Sequence, residues 1–412
     1  MIAEIITIGS EITTGSTLNT HSQYISSKLL ELGVETYYHT SVDDNKERVK
    51  DIINISLQRA NLIITTGGLG PTDDDLTKEV ISDALGLKLV NDKDMEENIR
   101  NIFGKLSKSM PINNLKQASK PEGSRFLKNA IGTAPGIFLC KDNKKIIMLP
   151  GPPREMKLMF INEVIPLIHE DFNIVSRTVN IIGIGESQLE MEIKDLINMD
   201  SNIMVATFAK EGEVQVKIIG KGKEKNIVEN KVNTIIEILQ DRFQDYIYGF
   251  DNIPIEMVVF NLLKEKNYKI GFCESCTGGL ISSRLSHIPG VSQVFDRSIV
   301  TYSNDAKMEE VGVSPNTLKN YGAVSKETAI EMANGLLTRK NLDISLAVTG
   351  IAGPDGGTEE KPVGLVYLCI STKERSLPIK CNFNGNRESI QNKTATRAFF
   401  ELRNFLLNKS LT

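Results

Sequence analysis

Histidine is scarce in this 412-residue chain, occurring only at His21, His39, His169 and His287, so a mechanism that needs several imidazoles is not expected. Cysteine is sparse too, 5 residues scattered through the sequence. An odd, dispersed set argues against a disulfide framework and for a reducing cytoplasm. Positive charge is not in excess: 48 Lys and Arg stand against 52 Asp and Glu, a net charge of -4. The charge signature of a nucleic-acid binder is therefore missing. Nothing approaches the roughly 18 uninterrupted apolar residues of a membrane span. The segment Met1-Ile2-Ala3-Glu4-Ile5 runs straight into a strand-like pattern without a basic start or a small-residue cleavage site, so no secretory leader is expected. What is present, 40% hydrophobic and 24% charged residues, fits an ordinary globular protein long enough for two or three domains.

Strand and helix signals alternate over residues 1–170. Ile5–Ile8, Val34–Tyr38, Leu62–Thr66 and Ile146–Leu149 read as strands. Helices are predicted around Ser22–Leu32, Lys46–Arg59, Asp75–Leu85 and Met95–Leu106, with another beginning near Glu155. Residues 175–248 form a smaller α+β pattern, with strands at Thr178–Ile182 and Val214–Ile219 and helices around Ser187–Ile197 and Lys225–Leu239. The charged run Lys217 to Lys225 is expected at a solvated hairpin end, and Gly249 to Pro254 as a linker. Residues 255–412 return to α/β, with near-continuous apolar strands at Ile344–Val348 and Val363–Ile370 and a closing helix around Glu388–Leu407. The fold class is α/β: two α/β domains with mainly parallel sheets, joined by a small α+β module.

The most informative run is Phe272-Cys273-Glu274-Ser275-Cys276-Thr277-Gly278-Gly279. It lies between a strand signal and a helix signal, where a tight turn can present a nucleophile beside free backbone N–H groups. A serine hydroxyl needs a base. His287 lies twelve residues on, about three turns down the predicted helix and pointing away. Lys307, in Tyr302-Ser303-Asn304-Asp305-Ala306-Lys307, is the better candidate, because a desolvated lysine loses its proton more readily. Thr349-Gly350-Ile351-Ala352-Gly353 is a third, glycine-rich loop after a buried strand. Taken singly, each signal has a plain reading. Cys273-x-x-Cys276 is open to a redox pair or half a zinc site. A Gly-Gly turn is most often a simple connection, and a lone lysine most often surface.

In the N-terminal part, Thr65-Thr66-Gly67-Gly68-Leu69-Gly70-Pro71-Thr72-Asp73-Asp74-Asp75 places a glycine loop and three aspartates after a strand, with a helix expected to start near Thr72. Loop N–H groups with a helix start make an anion site, and adjacent carboxylates suit Mg²⁺ held jointly with phosphate oxygens. The plain alternative is that Thr72 caps the helix and the acids favour its positive end. That explains one or two of the acids, not three aspartates with a glycine loop.

Taken together, these motifs closely resemble the CinA (competence/damage-inducible protein A) family. Glu274–Gly279, Tyr302–Lys307, Gly322-Ala323-Val324-Ser325, Val348–Pro354 and Lys361-Pro362-Val363-Gly364 are similar to its C-terminal domain, in order. The resemblance implies a nicotinamide-mononucleotide (NMN) amidohydrolase there. Ser275 would be the nucleophile, with Lys307 and Tyr302 activating it. Thr349, Gly350, Gly353, Gly278 and Gly279 would line the substrate, and Arg387 would meet its phosphate. Asn386 stands where the family more often has Asp. The N-terminal motifs, with Gly9-Ser10-Glu11, Asn19-Thr20 and Leu149-Pro150-Gly151-Pro152-Pro153, resemble the family's molybdopterin-binding-like domain, associated with metal-dependent ADP-ribose pyrophosphatase activity. Asp74 and Asp75 would hold a divalent metal, Gly67, Gly68 and Gly70 the pyrophosphate, and Glu11 and Asn19 the rest of the pocket. His21 replaces the usual Asn. The middle module resembles the family's KH-like domain, but Gly183-Ile184-Gly185 lacks the G-x-x-G spacing that binds RNA. The resemblance implies at least a homodimer, small nucleotides as partners, no membrane and no direct nucleic acid. A second reading is a non-catalytic protein that binds a nucleotide or molybdopterin-like ligand and acts through partners in competence or DNA-damage response.

Overall fold

The computed structural model describes residues 1–105, 109–168, 172–197, 199–338 and 342–408. Leu106, at the end of one predicted helix, and His169 lie outside the described residues. The chain divides into two compact units, residues 1–175 with 221–228, and residues 176–220 with 229–412. Among the described residues, no helix is long and apolar enough to cross a membrane.

The first unit contains strands β1 (Ile2–Ile8), β2 (Glu35–Val42), β3 (Leu62–Thr66), β4 (Leu89–Asn91), β5 (Ser119–Pro121), β6 (Arg125–Leu127), β7 (Gly136–Lys141) and β8 (Lys144–Leu149). Its six-stranded sheet runs β2-β1-β3-β8-β7-β6, while β4 and β5 pair apart from it. The pairs β1–β2, β1–β3 and β3–β8 are parallel; β7 and β6 add an antiparallel edge. β3 sits between two parallel neighbours with all five residues buried, which is why its sequence is an unbroken apolar-and-threonine run. Successive residues serve opposite faces, as the strand period of two requires. Ile5 and Ile64 pack with Ile25, Leu29, Met156 and Met159 on one side. Ile6 and Ile63 pack with Val49, Ile53, Val80 and Ile81 on the other.

One boundary differs from the sequence reading. The helix after the glycine loop spans Thr77–Ala84, so it starts five residues later than Thr72, and residues 73–75 precede it. The Asp75 carboxylate accepts from both the backbone N–H and the hydroxyl of Thr72, closing a separate four-residue turn ahead of the helix.

The second unit opens with the four-stranded antiparallel sheet β10-β11-β9-β12, built from β9 (Asn173–Ile181), β10 (Ile203–Lys210), β11 (Glu213–Gly222) and β12 (Ile247–Phe250). Neither β10 nor β12 was anticipated. The hairpin turn is at Glu211-Gly212, where Gly212 has φ +85. Lys217 to Gly222 therefore lies within β11 rather than at a hairpin end: its half-buried lysines, Lys217 and Lys221, flank buried Ile218, Ile219 and Gly220, which a charge count alone reads as solvated loop. Gly249 and Phe250 likewise pair with β9 instead of forming linker.

The larger sheet of this unit is mixed. Its strands are β13 (Ile270–Glu274), β14 (Phe295–Val300), β15 (Ile344–Gly350), β16 (Leu365–Ser371) and β17 (Ser376–Asn382), in the order β14-β13-β15-β16-β17. β14, β13 and β15 are parallel; β16 and β17 are antiparallel to their neighbours. Phe272, Leu346 and Val348 pack against Val259, Leu263, Phe399 and Leu402 of the helices Ile255–Glu265 and Arg387–Leu406. Cys273, Ala347 and Cys369 pack against Met332, Ala333 and Leu336 on the other face. The helix Arg387–Leu406 is buried on nearly every side in its C-terminal half. Ile182 and Tyr248 of the small module join its apolar cluster, and Arg403 donates to the carbonyl of Ile247 at 2.7 Å. The module is thus a packing partner of the helix within this unit.

Candidate active sites

β13 ends at Glu274, and the chain turns through Gly278 (φ +61) and Gly279 (φ +101) before the helix Leu280–Ser286. A side chain at either position would be strained, which accounts for the Gly-Gly pair. The fully buried Glu274 carboxylate accepts from the N–H groups of Gly279 (3.1 Å), Ile281 (3.0 Å) and Ser282 (2.9 Å). It does what an N-cap side chain does, while adding negative charge at the positive end of a helix. The N–H of Gly278 bonds the Ser275 carbonyl, closing the turn. Immediately after the serine, the N–H groups of Cys276 and Thr277 have no acceptor among the described residues.

β14 ends at Val300, and the N–H of Thr301 bonds the Glu274 carbonyl at 2.9 Å, tying the two loops together. Ser303 then caps the helix Asn304–Val311 by accepting from Ala306 N–H. That cap fixes the first turn and brings Lys307, 1% exposed, beneath Ser275. Lys307 Nζ lies 2.8 Å from the Thr301 carbonyl, 3.2 Å from the Tyr302 carbonyl and 3.1 Å from Ser275 Oγ. Carbonyls only accept, so they take two N–H bonds. The remaining tetrahedral direction on nitrogen faces the serine. In an ammonium it donates to Oγ; in a neutral amine it is a lone pair aimed at the hydroxyl proton. Burial pushes the lysine below its ordinary value, toward the neutral form. No carboxylate pairs with it among the described residues.

The other residues named from sequence fall into place unequally. The Tyr302 side chain is more than half exposed, and its hydroxyl accepts from Arg387 rather than touching Ser275; only its carbonyl reaches Lys307. Arg387 also donates to the Gly353 carbonyl at 2.7 Å, while Asn386 caps the helix through Ser389 N–H. With Asn in that place, Arg387 has no carboxylate partner among the described residues. Thr349 is buried, and its hydroxyl donates to the Ala323 carbonyl at 2.7 Å, holding the 322–325 loop. Gly350 and Gly353 have packing reasons: a Cβ would come within 2.6 Å of Val366 and 2.7 Å of Val363 respectively. His287 is exposed, one residue past a helix that ends at Ser286. Cys273 and Cys276 are buried, unbridged thiols, pushed up by desolvation to about 11 and about 12. Protonated at neutral pH, neither is a ready nucleophile. Among the described residues, no group of three His, Cys, Asp or Glu side chains is placed to hold a metal ion. Sequence reasoning missed Glu274, whose role looks from sequence like that of any acid beside a turn.

In the first unit the glycine loop forms one wall of a cleft of about 400 Å³, also lined by Glu11, His21, Asp44, Gln117, Thr133 and Glu155. Gly67 and Gly68 take positive φ, and a Cβ on them would come within 2.1 Å of the Ile8 carbonyl and 2.2 Å of Thr77 Oγ1. Thr77 bonds both glycine carbonyls through its hydroxyl and N–H. Among the described residues the N–H groups of Gly68, Leu69 and Gly70 have no acceptor, so the loop offers a row of donors suited to phosphate oxygens. Glu11, Asp74 and Asp75 line the cleft. Asn19 does not: it caps the helix Thr20–Glu31 and donates to Thr7, Ser22 and Ser41, so its side chain is committed to the scaffold. His21 bonds Thr66 at 3.1 Å, and burial lowers its pKa. Two carboxylates beside unpaired N–H donors fit a Mg²⁺ ion that takes its other ligands from phosphate and water, not an all-protein cage.

Family models match the whole succession: "Probable molybdopterin binding domain" over residues 4–170, "Damage-inducible protein CinA KH domain" over 176–249 and "CinA C-terminal domain" over 252–406. A curated relative from Caldicellulosiruptor bescii, "Putative competence-damage inducible protein", is 46% identical over 411 residues, covering 99% of this chain and 100% of that one. The chain belongs to the CinA family. A "CinA-like protein" of Dictyoglomus thermophilum is 43% identical over 410 residues, covering 99% and 100%. A crystal structure of the competence/damage inducible protein CihA from Agrobacterium tumefaciens is 40% identical, covering 38% of this chain and 94% of that one, with a TM-score of 0.36. The Ser275 turn, the Lys307 helix and the glycine loop thus all fall inside CinA-type domains.

Proposed function

We propose that this CinA-family chain is a cytoplasmic, two-activity hydrolase of pyridine-nucleotide recycling, working as at least a dimer. Residues 255–412 would deamidate NMN to nicotinic acid mononucleotide and ammonia. Residues 1–170 would hydrolyse ADP-ribose to AMP and ribose 5-phosphate, with 175–248 as a structural module.

The observation that carries the first activity is Lys307 Nζ at 3.1 Å from Ser275 Oγ with its other directions taken by carbonyls. Ser275 Oγ bonds the carboxamide carbon as its proton passes to the neutral Lys307 amine. The carbonyl oxygen becomes an oxyanion that the N–H groups of Cys276 and Thr277 stabilise. Lys307 returns the proton to the leaving nitrogen, the C–N bond breaks, and ammonia departs. Water, deprotonated by the same amine, then cleaves the acyl-serine and restores Ser275. Arg387, with no carboxylate to neutralise it, supplies the charge for the nucleotide phosphate.

In the first unit the donors at Gly68, Leu69 and Gly70 would hold the diphosphate, and Asp74 and Asp75 would hold the metal. The chemistry a bound Mg²⁺ supplies is neutralisation of phosphate charge and polarisation of phosphorus toward water.

A second reading draws on one observation: Asp75 is already engaged by Thr72. The cleft would then hold a nucleotide or molybdopterin-like ligand without turnover, and the chain would act through partners. Ammonia release from NMN, and ADP-ribose hydrolysis with and without divalent metal, separate the two. Inactivity in both assays alongside clean ligand binding would favour the second reading.

A further inference from the structure

The acidic loop 72–75 is anchored from below by a residue that lies outside every motif of the sequence. Lys116, in the 3₁₀ segment Ile112–Ala118, donates to the Thr72 carbonyl at 2.7 Å and to the Asp75 carbonyl at 2.6 Å. One ammonium therefore grips both ends of the Thr72–Asp75 turn. Its remaining direction faces Glu79, 3.9 Å away. Glu79 in turn lies 3.4 Å from Lys78, whose ammonium is almost wholly buried and has no hydrogen-bond partner among the described residues. Gln117, next to Lys116, lines the cleft with a buried carbonyl oxygen that also lacks a partner among them. The segment that holds the loop thus also forms part of the cleft wall.

The physical problem that Lys116 addresses is repulsion. Asp73, Asp74 and Asp75 are consecutive carboxylates, and like charges so close tend to splay the loop. A cation bonded to the backbone at both ends offsets that charge without occupying the carboxylates. It leaves Asp74, which lines the cleft beside the Thr72 hydroxyl, without an ion pair among the described residues. A direct ion pair to Asp74 would instead compete with a metal for it.

We propose that Lys116 is the positioning residue of the metal-binding loop: it touches neither metal nor substrate, and sets the divalent-ion affinity of Asp74 and Asp75 by fixing the Thr72–Asp75 turn. The inference rests on the metal-dependent reading of this cleft. Partners that orient metal ligands typically matter by roughly 10–100-fold in affinity.

The test uses the full chain and Mn²⁺ as the probe, titrated in the presence of ADP and followed by the loss of the free-ion electron paramagnetic resonance signal. The parent should bind; Lys116→Met should weaken binding by roughly 10–100-fold, and Lys116→Arg, which keeps two donors and the charge, should recover most of it. The Mg²⁺ midpoint for ADP-ribose hydrolysis should move in parallel, while NMN deamidation stays within about twofold, reporting an intact fold elsewhere. If Lys116→Met does not fold, Lys116→Gln carries the same comparison. Parental Mn²⁺ affinity in the neutral variants overturns the role of Lys116. A parent that hydrolyses ADP-ribose but needs no divalent ion also overturns it. A parent that neither binds Mn²⁺ nor hydrolyses ADP-ribose removes the reading of the cleft itself, and the inference with it.

Discussion

At Ser275 the reacting groups already touch, whereas at Asp74 and Asp75 they do not. Lys307 stands 3.1 Å from the serine, with its other bonds filled and its charge disfavoured by burial. The acidic loop instead offers the exposed Asp74, the half-buried Asp75 and a row of N–H donors that are unpaired among the described residues. Yet both sites begin the same way, at the end of a buried parallel strand, in a turn whose glycines take positive φ. The difference follows from what each chemistry must bring. Breaking an amide without a cofactor needs nucleophile, base and oxyanion donors supplied by the chain and preorganised. Breaking a pyrophosphate lets the ligand supply half of the metal's coordination, so the protein's share stays open until the ligand arrives.

The sharpest way to break this comparison is to remove the nucleophile. Ser275→Ala should lower ammonia release from NMN by about 10⁴-fold or more, as loss of a nucleophile does in serine hydrolases, and leave ADP-ribose hydrolysis and the melting temperature unchanged. Turnover within tenfold of the parent would take Ser275 out of the mechanism. The converse experiment is Asp74→Ala with Asp75→Ala. It should lower ADP-ribose hydrolysis by about 10²–10³-fold, the scale of losing one electrostatic stabiliser, and leave NMN deamidation intact. Equal damage to both activities would show that the two sites are not independent.

How far these sites could be read from sequence follows the same division. Lys46–Arg59 and Leu62–Thr66 have the bounds expected, because Asn45 caps the helix locally and the strand is apolar throughout. The closeness of Ser275 and Lys307 agrees with the order of the motifs, since each follows one of two adjacent parallel strands, which place their following loops at the same end. Much of what could not be read depends on contacts distant in sequence. Tyr302 turned to Arg387, Asn19 committed to Thr7 and Ser41, and Lys116 reaching back 44 residues to Thr72 are such cases. The strands β10 and β12 were missed because each is short or half exposed, and their pairing, not their composition, makes them strands. Thr72 misled because threonine before acids reads as a helix cap, whereas the helix begins only at Thr77 and the bond from Thr72 to Asp75 closes a turn ahead of it.

A smaller effect tests whether the substrate is a nucleotide. Arg387 has no acidic partner among the described residues, so it should be worth a charged hydrogen bond to phosphate, and Arg387→Met should raise KM for NMN by about 10–100-fold with kcat nearly unchanged. The same variant should lose little against nicotinamide riboside, which has no phosphate. If KM rises equally for both substrates, Arg387 acts through Tyr302 and the Gly353 carbonyl to shape the loop rather than through charge.

The pH profile carries the smallest effect, about tenfold per unit, and isolates Lys307. The neutral amine is the base, so kcat/KM for NMN should rise with pH and level off once Lys307 is deprotonated in the free enzyme. Burial places that plateau below the ordinary lysine value of 10.5. The neighbouring thiols, at about 11 and about 12, lie too high to produce such a limb. The sign in stability agrees: between the depressed folded value and 10.5 the unfolded chain binds more protons at this site, so stability gains from this group as pH rises. Lys307→Arg, which fixes the charge, should abolish activity at every pH and flatten that stability gain. A rate that falls with rising pH over the same range would mean that the ammonium is the working form. Lys307 would then act as a proton donor to the leaving nitrogen, and the base would have to be sought elsewhere.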